Sequence, residues 1–419
     1  MAQGKPAAGE GLKPRRPVQS RPPSPSPPPS PPLPPSVSVI GGGAWGTALA
    51  LALARNIQAV KLWGRDPARM REMAQRRCNW RYLPGVDFPP NLAAHSDFDA
   101  LIDAPLCFVL ATPSHAFRAT VERLRRAIAA AGYAPGAAKV IWGTKGFDPE
   151  SGRLLSAVVG EVFGGGGGDG GVGGDGAGDG GGGDSGGVAG EDAGAAAGED
   201  AGAAAGENSG GKTVTRAVIS GPSFAAETAR GLPTALTLAC ADRAAAQALA
   251  GWFRGPATRV YFSDDLVGVQ LGGAIKNVLA IAAGLSDGLN YGANARAALI
   301  TRGLAELTRL GVALGGRADT FAGLTGLGDL VLTCTDDQSR NRRFGLGLGR
   351  GQPADAVRRD IGQAIEGIHA ARTLHRLSRE LGVDMPITAQ VCRIVHEGHD
   401  PADAVRNLLR RDAKAESGG

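Results

Sequence analysis

The chain lacks the residue patterns that would assign it to several common classes of protein. Its five cysteines are scattered and form no CxxC pair, which argues against a disulfide framework or a structural zinc site and favours a reducing compartment. None of the six histidines has metal-ligand spacing, so we expect no bound metal. A run of 18 apolar residues and the apolar core of a secretory signal are also lacking. We therefore expect a cytoplasmic protein without membrane insertion.

Two long segments lack the large apolar side chains from which a core is built. Residues 1–36 hold 13 of the 27 prolines, and residues 164–211 hold 24 of the 66 glycines, with nine Asp or Glu and no Lys or Arg. Such segments bury too little apolar surface to offset the entropy lost on ordering. We predict a disordered Pro-rich tail at 1–36, a disordered insert at 164–211 and a short tail at 413–419. Without the acidic residues of the insert, the net charge of +5 becomes +14, which suits an anionic ligand.

The apolar pattern changes near residue 264. Before it, short apolar runs alternate with helical stretches, which predicts a parallel sheet covered on both faces over residues 37–263. After it, Ala/Leu-rich segments with helical spacing predict an all-helical domain over residues 264–412. The predicted strands are Val37–Ile40, Ala59–Trp63, Cys107–Leu110, Lys139–Trp142, Ala217–Ile219, Thr234–Cys240 and Arg259–Phe262. The predicted helices are Ala48–Ala54, Ala116–Ala131, Val267–Ala283, Ala293–Leu314, Ala354–Gly362 and Ile365–Leu381.

Three glycines, Gly41, Gly43 and Gly46, follow the first predicted strand. The next letters, "TALALALA", alternate as in a strand, but Ala and Leu favour helix, and a helix buried against a sheet needs no polar face. A G-x-G-x-x-G turn between a strand and a helix presents backbone N–H groups and the helix dipole to a pyrophosphate. We therefore predict a Rossmann-type dinucleotide-binding domain. The alternative is a glycine turn that only lets helix and sheet pack closely.

The residue that follows "AVKLWG", the second predicted strand with its closing glycine, indicates which nucleotide binds. In NAD-selective Rossmann folds an acidic residue ends that strand and holds the ribose diol. Here Arg65 stands in its place, and Asp66 comes one residue later. Because a guanidinium pairs bidentately with a phosphate, we predict that NADP is preferred over NAD. The alternative is that Arg65 lies on the adenine and tolerates both cofactors.

Two lysines stand in surroundings unlike a protein surface. Lys276 is the sole charged residue in "GVQLGGAIKNVLAIAAG", between a glycine pair and Asn277. Burial lowers the pKa of a lysine, as a proton acceptor at neutral pH requires; the alternative is a side chain that reaches out to water. Lys145 follows a strand, where ligands gather in open parallel sheets, and there it would polarise a carbonyl oxygen and lower the pKa of Lys276 further. The alternative for Lys145 is an ordinary loop lysine.

Two further turns carry polar groups suited to a phosphorylated ligand. "ISGPSFA" offers backbone N–H groups and Ser223 at the end of a strand. "GLGDLVLTCTDDQSRNRRFG" contains Asp329 between glycines and an apolar run, then a compact donor cluster, Ser339, Arg340 and Asn341. Arg340 and Asn341 suit a phosphate dianion. Nucleic acid is a poor alternative, because no aromatic residues interleave the basic run and no basic stripe extends it.

Several of these motifs occur together in one known family. "GGGAWGTALA", "VISGPSFAAE", "GVQLGGAIKNVLAIAAGLSDGL", "GANARAALITRGLAE", "TGLGDLVLTCTDDQSRNRRFG" and "MPIT" follow one another between about Ser36 and Asp412, interrupted by the glycine insert. In this order they resemble the bacterial-type NAD(P)-dependent glycerol-3-phosphate dehydrogenases. The sequence departs from the usual family pattern in the insert itself and at three residues. Gly42 stands where Ala is usual, Trp45 where Tyr or Phe is common, and Ser223 where Thr is common.

The resemblance implies a fold, a reaction and a set of site residues. It implies a Rossmann domain followed by a helical domain, a homodimer, and interconversion of glycerol 3-phosphate and dihydroxyacetone phosphate for phospholipid synthesis. Lys276 is then the proton acceptor, assisted by Lys145 and Asp329. The implied substrate contacts are Lys145, Gly221, Ser223, Lys276, Asn277, Asp329, Ser339, Arg340 and Asn341. The implied cofactor contacts, besides Gly41, Gly43 and Gly46, are Ala44, Trp45, Arg65, Lys145, Ala225, Arg340, Ala364 and Glu366.

Two other functions remain open at this point. A related β-hydroxyacid dehydrogenase also pairs a Rossmann domain with helices and a catalytic lysine, but the "SRN" cluster favours a phosphorylated substrate. A non-catalytic nucleotide-binding module would keep the glycines, yet it has no need of Lys145, Lys276 and Asp329 together.

Overall fold

The computed structural model describes residues 33–164 and 213–409. Nearly all of the predicted tail at 1–36, the insert at 164–211 and the tail at 413–419 lie outside these residues. At the borders of the insert, helix Leu155–Phe163 ends at Gly164, which has a φ of 80°, and the next strand begins at Thr215.

The N-terminal domain contains a single sheet of eight strands within the described residues. All seven predicted strands are confirmed, and four of them have the predicted bounds. The strands are β1 Ser36–Ile40, β2 Ala59–Trp63, β3 Leu92–His95, β4 Cys107–Leu110, β5 Lys139–Trp142, β6 Thr215–Ser220, β7 Thr234–Cys240 and β8 Thr258–Ser263, in the spatial order β3-β2-β1-β4-β5-β6-β7-β8. The sequence prediction missed β3, because "LAAH" lacks a run of β-branched residues.

The predicted parallel sheet is confirmed except at one pair of strands, which is antiparallel. β7 runs antiparallel to β6, with Ala217 opposite Cys240 and Ser220 opposite Thr237. A six-residue helix, Ala225–Arg230, connects these two strands and spans about 9 Å at 1.5 Å per residue. It is too short to carry the chain back along β6, which extends about 20 Å. β7 therefore starts near the end of β6 and runs in the opposite direction.

Helices cover the sheet and then form the whole of the C-terminal region. The helices of the sheet domain are α1 Ala44–Leu53, α2 Pro67–Arg76, α3 Ser114–Ala130, α4 Leu155–Phe163, α5 Ala225–Arg230 and α6 Arg243–Phe253. Those of the C-terminal region are α7 Leu266–Gly288, α8 Gly292–Ala313, α9 Ala318–Ala322, α10 Asp329–Thr335, α11 Arg340–Gly349, α12 Ala354–Ile361, α13 Glu366–Glu380, α14 Pro386–Glu397 and α15 Pro401–Leu409. A π-helical turn, Leu324–Gly328, precedes α10. These helices confirm the predicted fold class and the helical assignment of "TALALALA".

α7 is the central helix of the C-terminal region. It is long and apolar enough to cross a membrane, but 94% of its most apolar stretch is buried inside the protein. α7 packs against α8, α10, α11 and α13, and its residues between Leu271 and Leu285 supply ten of the 28 buried residues of the helical core. The burial on all sides explains why this helix has no polar face.

Glycines bring the backbones of α7 and α11 into direct contact. A Cβ on Gly284 would overlap the carbonyl oxygen of Arg342, and a Cβ on Gly345 would overlap that of Ile281. No side chain fits between the two helices at these points, because the obstacle is rigid backbone rather than the end of a flexible side chain. The contact fixes the N-terminus of α11 relative to the middle of α7.

The substitution Gly284→Ala tests this contact. We expect it to lower the free energy of unfolding by about 1–3 kcal/mol, because an added methyl group in a well-packed interior forces backbone shifts. Gly251→Ala is the matched control, since Gly251 also lies within a helix but has open space around its Cα. There the same change should stabilise the protein by about 0.5–1 kcal/mol. Denaturant unfolding of both variants measures the difference, and equal effects would contradict the contact.

Candidate active site

The glycine turn between β1 and α1 forms a cradle with open space in front of it. Gly41 has a φ of 134°, and a Cβ there would lie 2.6 Å from the carbonyl oxygen of Ala111. A Cβ on Gly46 would overlap the carbonyl oxygen of Gly41, whereas one on Gly43 would meet nothing within 4 Å. Gly43 is the N-cap of α1 and Ala44 its first residue. The first-turn N–H groups of α1 therefore face a space that suits a pyrophosphate.

Trp45 connects this turn to the next part of the site. Its indole Nε1 is buried and has no hydrogen-bond partner among the described residues. A Cβ on Gly143 would lie 2.5 Å from this atom, and Gly143 precedes Lys145 by two positions. The indoles of Trp63 and Trp142 in the hydrophobic core are also unpartnered within the described part of the chain, so the open space at the glycine turn, rather than this indole alone, favours a bound molecule. Ala225, at the start of α5, and Trp45 both pack against the hydrophobic core formed by β1 and α1.

The carboxylate nearest the end of β2 caps the helix that follows. Arg65 is exposed, and the Asp66 carboxylate accepts a hydrogen bond from the backbone N–H of Arg69 at 3.2 Å. Asp66 thus serves as the N-cap of α2, and its charge is directed at its own helix. Asp66, the residue most similar to the acidic residue that binds the ribose diol of NAD, therefore stabilises the start of α2.

Asp329 bridges the two lysines singled out from the sequence. Its Oδ1 accepts a hydrogen bond from Lys276 Nζ at 2.6 Å, and its Oδ2 accepts one from Lys145 Nζ at 2.6 Å. Lys276 and Asp329 are buried, and Lys145 is partly exposed. Residues from three separate parts of the chain thus form one charged cluster, which we call the lysine–aspartate–lysine cluster.

The glycine pair before Lys276 makes room for this cluster. A Cβ on Gly272 would overlap the carbonyl oxygen of Thr325, which lies in the π-helical turn before Asp329. A Cβ on Gly273 would lie 3.3 Å from Lys145 Cγ. Gly272 therefore admits the turn that carries the aspartate, and Gly273 admits the second lysine.

Thr333 holds the other side of the Lys276 ammonium group, and the sequence reasoning missed it. Lys276 Nζ donates to Thr333 Oγ1 at 2.7 Å, and the Thr333 hydroxyl donates to the Asp329 carbonyl oxygen at 2.6 Å. With its hydrogen committed to its own helix, Thr333 Oγ1 presents a lone pair to the amine. The available signal was its position one helical turn after Asp329.

Burial sets the protonation of Lys276. It lowers the pKa of Lys276 to about 8, with Asp329 opposing the shift and Lys145 adding to it. A pKa near 8 lets the amine exist in both protonation states close to neutral pH, as a group that accepts and returns a proton requires.

The remaining predicted substrate contacts lie around this cluster. Lys145 Nζ and Ser223 Oγ both donate to the Gly221 carbonyl oxygen, at 3.4 and 3.2 Å. Asn341 Nδ2 donates to Asn277 Oδ1 at 3.0 Å, which connects α11 to the residue after Lys276. Asn341 retains a second amide hydrogen for a ligand.

α11 and α13 complete the polar side of the site. Ser339 is the N-cap of α11, where its Oγ accepts the backbone N–H of Arg342 at 3.2 Å. Arg340 Nη1 donates to the Ala364 carbonyl oxygen at 2.9 Å. Glu366, the first residue of α13, has its pKa raised by burial, which the charges of Arg340, Lys145, Lys276 and His115 oppose. Glu366 thus lies within the electrostatic influence of the lysine–aspartate–lysine cluster.

Known proteins resemble this chain along nearly its whole length. Residues 36–168 and 204–246 match the family model of the NAD-dependent glycerol-3-phosphate dehydrogenase N-terminus, and residues 265–406 match that of the C-terminus. Glycerol-3-phosphate dehydrogenase (NAD(P)+) from Thioalkalivibrio sulfidiphilus is 50% identical over 91% of this chain and 98% of its own length. The corresponding protein from Methylococcus capsulatus is 45% identical over 91% and 98%.

Solved structures give the same result. The crystal structure of glycerol-3-phosphate dehydrogenase from Coxiella burnetii has a TM-score of 0.74 and 41% identity, covering 90% of this chain and 99% of that chain. The enzyme from Saccharomyces cerevisiae has a TM-score of 0.68 over 90% of this chain and 100% of that chain, with 23% identity, and it supports the fold alone.

The fold and the site together define a class of protein. The cradle lies at the carboxyl end of β1, an inner strand of the sheet, and the helical region supplies a buried lysine. This is the arrangement of a nicotinamide-dependent dehydrogenase with a Rossmann-type sheet and a helical region. The comparisons narrow that class, and the chain belongs to the NAD-dependent glycerol-3-phosphate dehydrogenase family.

Substitutions of the two charged neighbours of Lys276, Asp329 and Lys145, should move the pKa of Lys276 in opposite directions. Asp329→Asn should lower this pKa below about 8, because the carboxylate favours the ammonium form, and Lys145→Met should raise it, because the second ammonium disfavours that form. A pH titration of labelled lysine side chains by NMR measures both shifts. Lys139→Met, on the exposed start of β5, is the charge-loss control and should leave the Lys276 pKa unchanged. Shifts of the same sign in the first two variants would contradict the geometry.

Proposed function

We propose that this chain is an NAD(P)-dependent glycerol-3-phosphate dehydrogenase that interconverts dihydroxyacetone phosphate and glycerol 3-phosphate, with Lys276 as the group that exchanges the hydroxyl proton. One observation carries the proposal. Lys145 of the lysine–aspartate–lysine cluster follows Gly143 in the same loop, and Gly143 contacts Trp45 of the glycine cradle. The family relationship supports the choice of substrate and cofactor.

The hydrogen bonds of Lys276 determine where its reactive position points. Asp329 Oδ1 and Thr333 Oγ1 each accept one N–H of Lys276. In the ammonium form a third N–H remains, and in the neutral amine a lone pair takes its place. In this proposal the third position faces the substrate oxygen, so that Lys276 gives a proton to the developing alkoxide in ketone reduction and takes one from the alcohol in the reverse direction.

The cofactor supplies the hydride when it is bound, and the residues present fit it. The glycine cradle, the open first turn of α1 and the unpartnered indole of Trp45 would hold it. The chain's own contribution is to place the substrate carbonyl between Lys276 and the cradle and to polarise it with the Lys145 ammonium.

Arg340 and Asn341 would hold the substrate phosphate. Arg340 uses Nη1 to contact the Ala364 carbonyl oxygen, and a guanidinium has five N–H donors, so several remain for phosphate oxygens. The Asn277–Asn341 hydrogen bond keeps this end of α11 at a fixed position relative to Lys276. Such an arrangement fixes the length of the substrate that fits between phosphate site and amine.

The preference for NADP, the compartment and the assembly are part of the same proposal. The diversion of Asp66 to a helix cap supports NADP over NAD. Five unpaired cysteines support a reducing compartment such as the cytoplasm. Exposed apolar side chains at Tyr291 and Val312, at the two ends of α8, support a homodimer formed through the helical region. A role in phospholipid synthesis rests on the family resemblance.

The purified chain should oxidise NADPH when dihydroxyacetone phosphate is supplied. Lys276→Ala should lower kcat by about 10²–10⁴, the usual contribution of one acid–base group, while the dissociation constant for NADPH stays within twofold. Steady-state kinetics and NADPH binding measure the two effects. Turnover of unphosphorylated β-hydroxyacids instead would favour the related dehydrogenase class, and nucleotide binding without any turnover would favour a binding module.

The two reaction directions should depend on pH in opposite ways. Oxidation of glycerol 3-phosphate needs the neutral amine, so kcat/KM should rise with pH and level off above about pH 8, the pKa of Lys276. Reduction of the ketone needs the ammonium form, so its kcat/KM should fall above the same pH. Profiles in both directions, measured in one buffer series, test this. An oxidation rate that falls through pH 8 would remove Lys276 from the role.

A further inference from the structure

Arg69, in the first turn of α2, is held at the adenine end of the predicted cofactor site. Its Nη2 donates to the Gly42 carbonyl oxygen at 2.8 Å, which lies in the glycine turn. Its guanidinium carbon lies 4.2 Å from the centroid of the Tyr82 ring. Two unrelated contacts thus fix one cation between the pyrophosphate cradle and an aromatic ring.

The guanidinium of Arg69 is incompletely satisfied. Its Nε is buried and has no hydrogen-bond partner among the described residues, and Nη2 makes the hydrogen bond to Gly42. Because Nε is buried, the donors left for a phosphate dianion are the N–H groups of Nη1 and the second N–H of Nη2, which a planar guanidinium presents side by side for bidentate binding. Arg81, 5.6 Å from the centroid of the same ring, adds positive charge nearby.

Arg65 occupies the position that the sequence favours for phosphate recognition, but its side chain is held less firmly than that of Arg69. Arg65 is exposed, and no contact fixes its side chain within the described residues. A long side chain loses conformational entropy when it is immobilised on a ligand. Arg69 has already lost that entropy in the folded protein, so the same phosphate contact is worth more there.

We propose that Arg69, held by Gly42 and Tyr82, is the main residue that selects NADP by binding its 2′-phosphate. The inference rests on the proposed cofactor site and adds to it the residue that discriminates between the two nucleotides. Arg65 then contributes a weaker, long-range attraction.

A purely structural role for Arg69 predicts a different result. Asn79 Nδ2 also donates to the Gly42 carbonyl oxygen, at 3.3 Å, so both side chains support the glycine turn. If Arg69 only supports the turn, its loss should weaken NADPH and NADH equally, because both carry the same pyrophosphate. If Arg69 binds the 2′-phosphate, its loss should weaken NADPH alone.

The experiment measures dissociation constants of NADPH and NADH for the full chain without substrate, by tryptophan fluorescence. Arg69→Met should raise the NADPH constant 10–100-fold and the NADH constant less than threefold. Arg65→Met should raise the NADPH constant by a smaller factor. Arg71→Met, an exposed arginine of the same helix, is the charge-loss control and should change neither constant more than twofold. Equal losses for both nucleotides, or a larger loss in Arg65→Met, overturn the inference.

A second measurement covers the case in which Arg69→Met fails to fold. Arg69→Lys keeps the charge but removes the planar fork, and competition by 2′,5′-ADP and 5′-AMP reports the phosphate contact directly. The wild-type chain should bind 2′,5′-ADP at least tenfold more tightly than 5′-AMP, and Arg69→Lys should lose most of that difference. A wild-type chain without this difference overturns the inference. These are binding measurements, so absence of turnover contradicts the proposed function while leaving their outcome readable.

Discussion

The site depends on one carboxylate shared by two ammonium groups. Asp329 is almost fully buried, and each of its oxygens meets a different lysine at 2.6 Å. A buried carboxylate is unfavourable by itself, and so is the buried ammonium group of Lys276, but together with the partly exposed Lys145 they form a network that satisfies both oxygens of the carboxylate. Because Lys145 comes from the sheet domain and Lys276 and Asp329 from the helical region, the same interaction connects the two parts of the molecule at the reaction centre.

Glycine makes this network geometrically accessible. Gly272 and Gly273 admit the turn before Asp329 and the stem of Lys145, while Gly284 and Gly345 let α11 approach α7. The contacts at Gly272, Gly284 and Gly345 are made with backbone, so their geometry does not depend on side-chain rotamers. The result is a rigid frame in which the N-terminal end of α11, the proposed phosphate site, and the amine of Lys276 have a fixed separation, as catalysis by positioning requires.

The sequence predicted the elements well where one physical signal dominates. Buried strands with β-branched residues appeared within a residue or two of the predicted bounds, and Lys276 was identified because a single charge in an apolar helix needs a partner. The direction of β7 was not predictable from its residues, since strand direction follows from the length of the connection. β3 was missed because Ala-Ala-His carries little strand signal.

The partners within the site were harder to predict than its principal residues. Thr333 looks like an ordinary threonine in an apolar helix, and Arg69 looks like a surface arginine of a polar helix. Their importance depends on atoms far away in sequence, the Lys276 amine and the Gly42 carbonyl oxygen. A pattern of residue types indicates that a lysine needs a partner, but only the packing of α7 against α10 determines which one.

The borders of the glycine-rich insert explain how the enzyme accommodates it. α4 ends at Gly164 and β6 resumes at Thr215, whose neighbour in the sheet is Lys139, the first residue of β5. Both borders therefore lie at the amino-terminal rim of the sheet, whereas the cradle and Lys145 lie at the opposite rim. Extra chain that enters and leaves the fold at this corner starts from the rim away from Lys145. The same corner is a natural attachment point for an affinity tag or a fluorescent reporter.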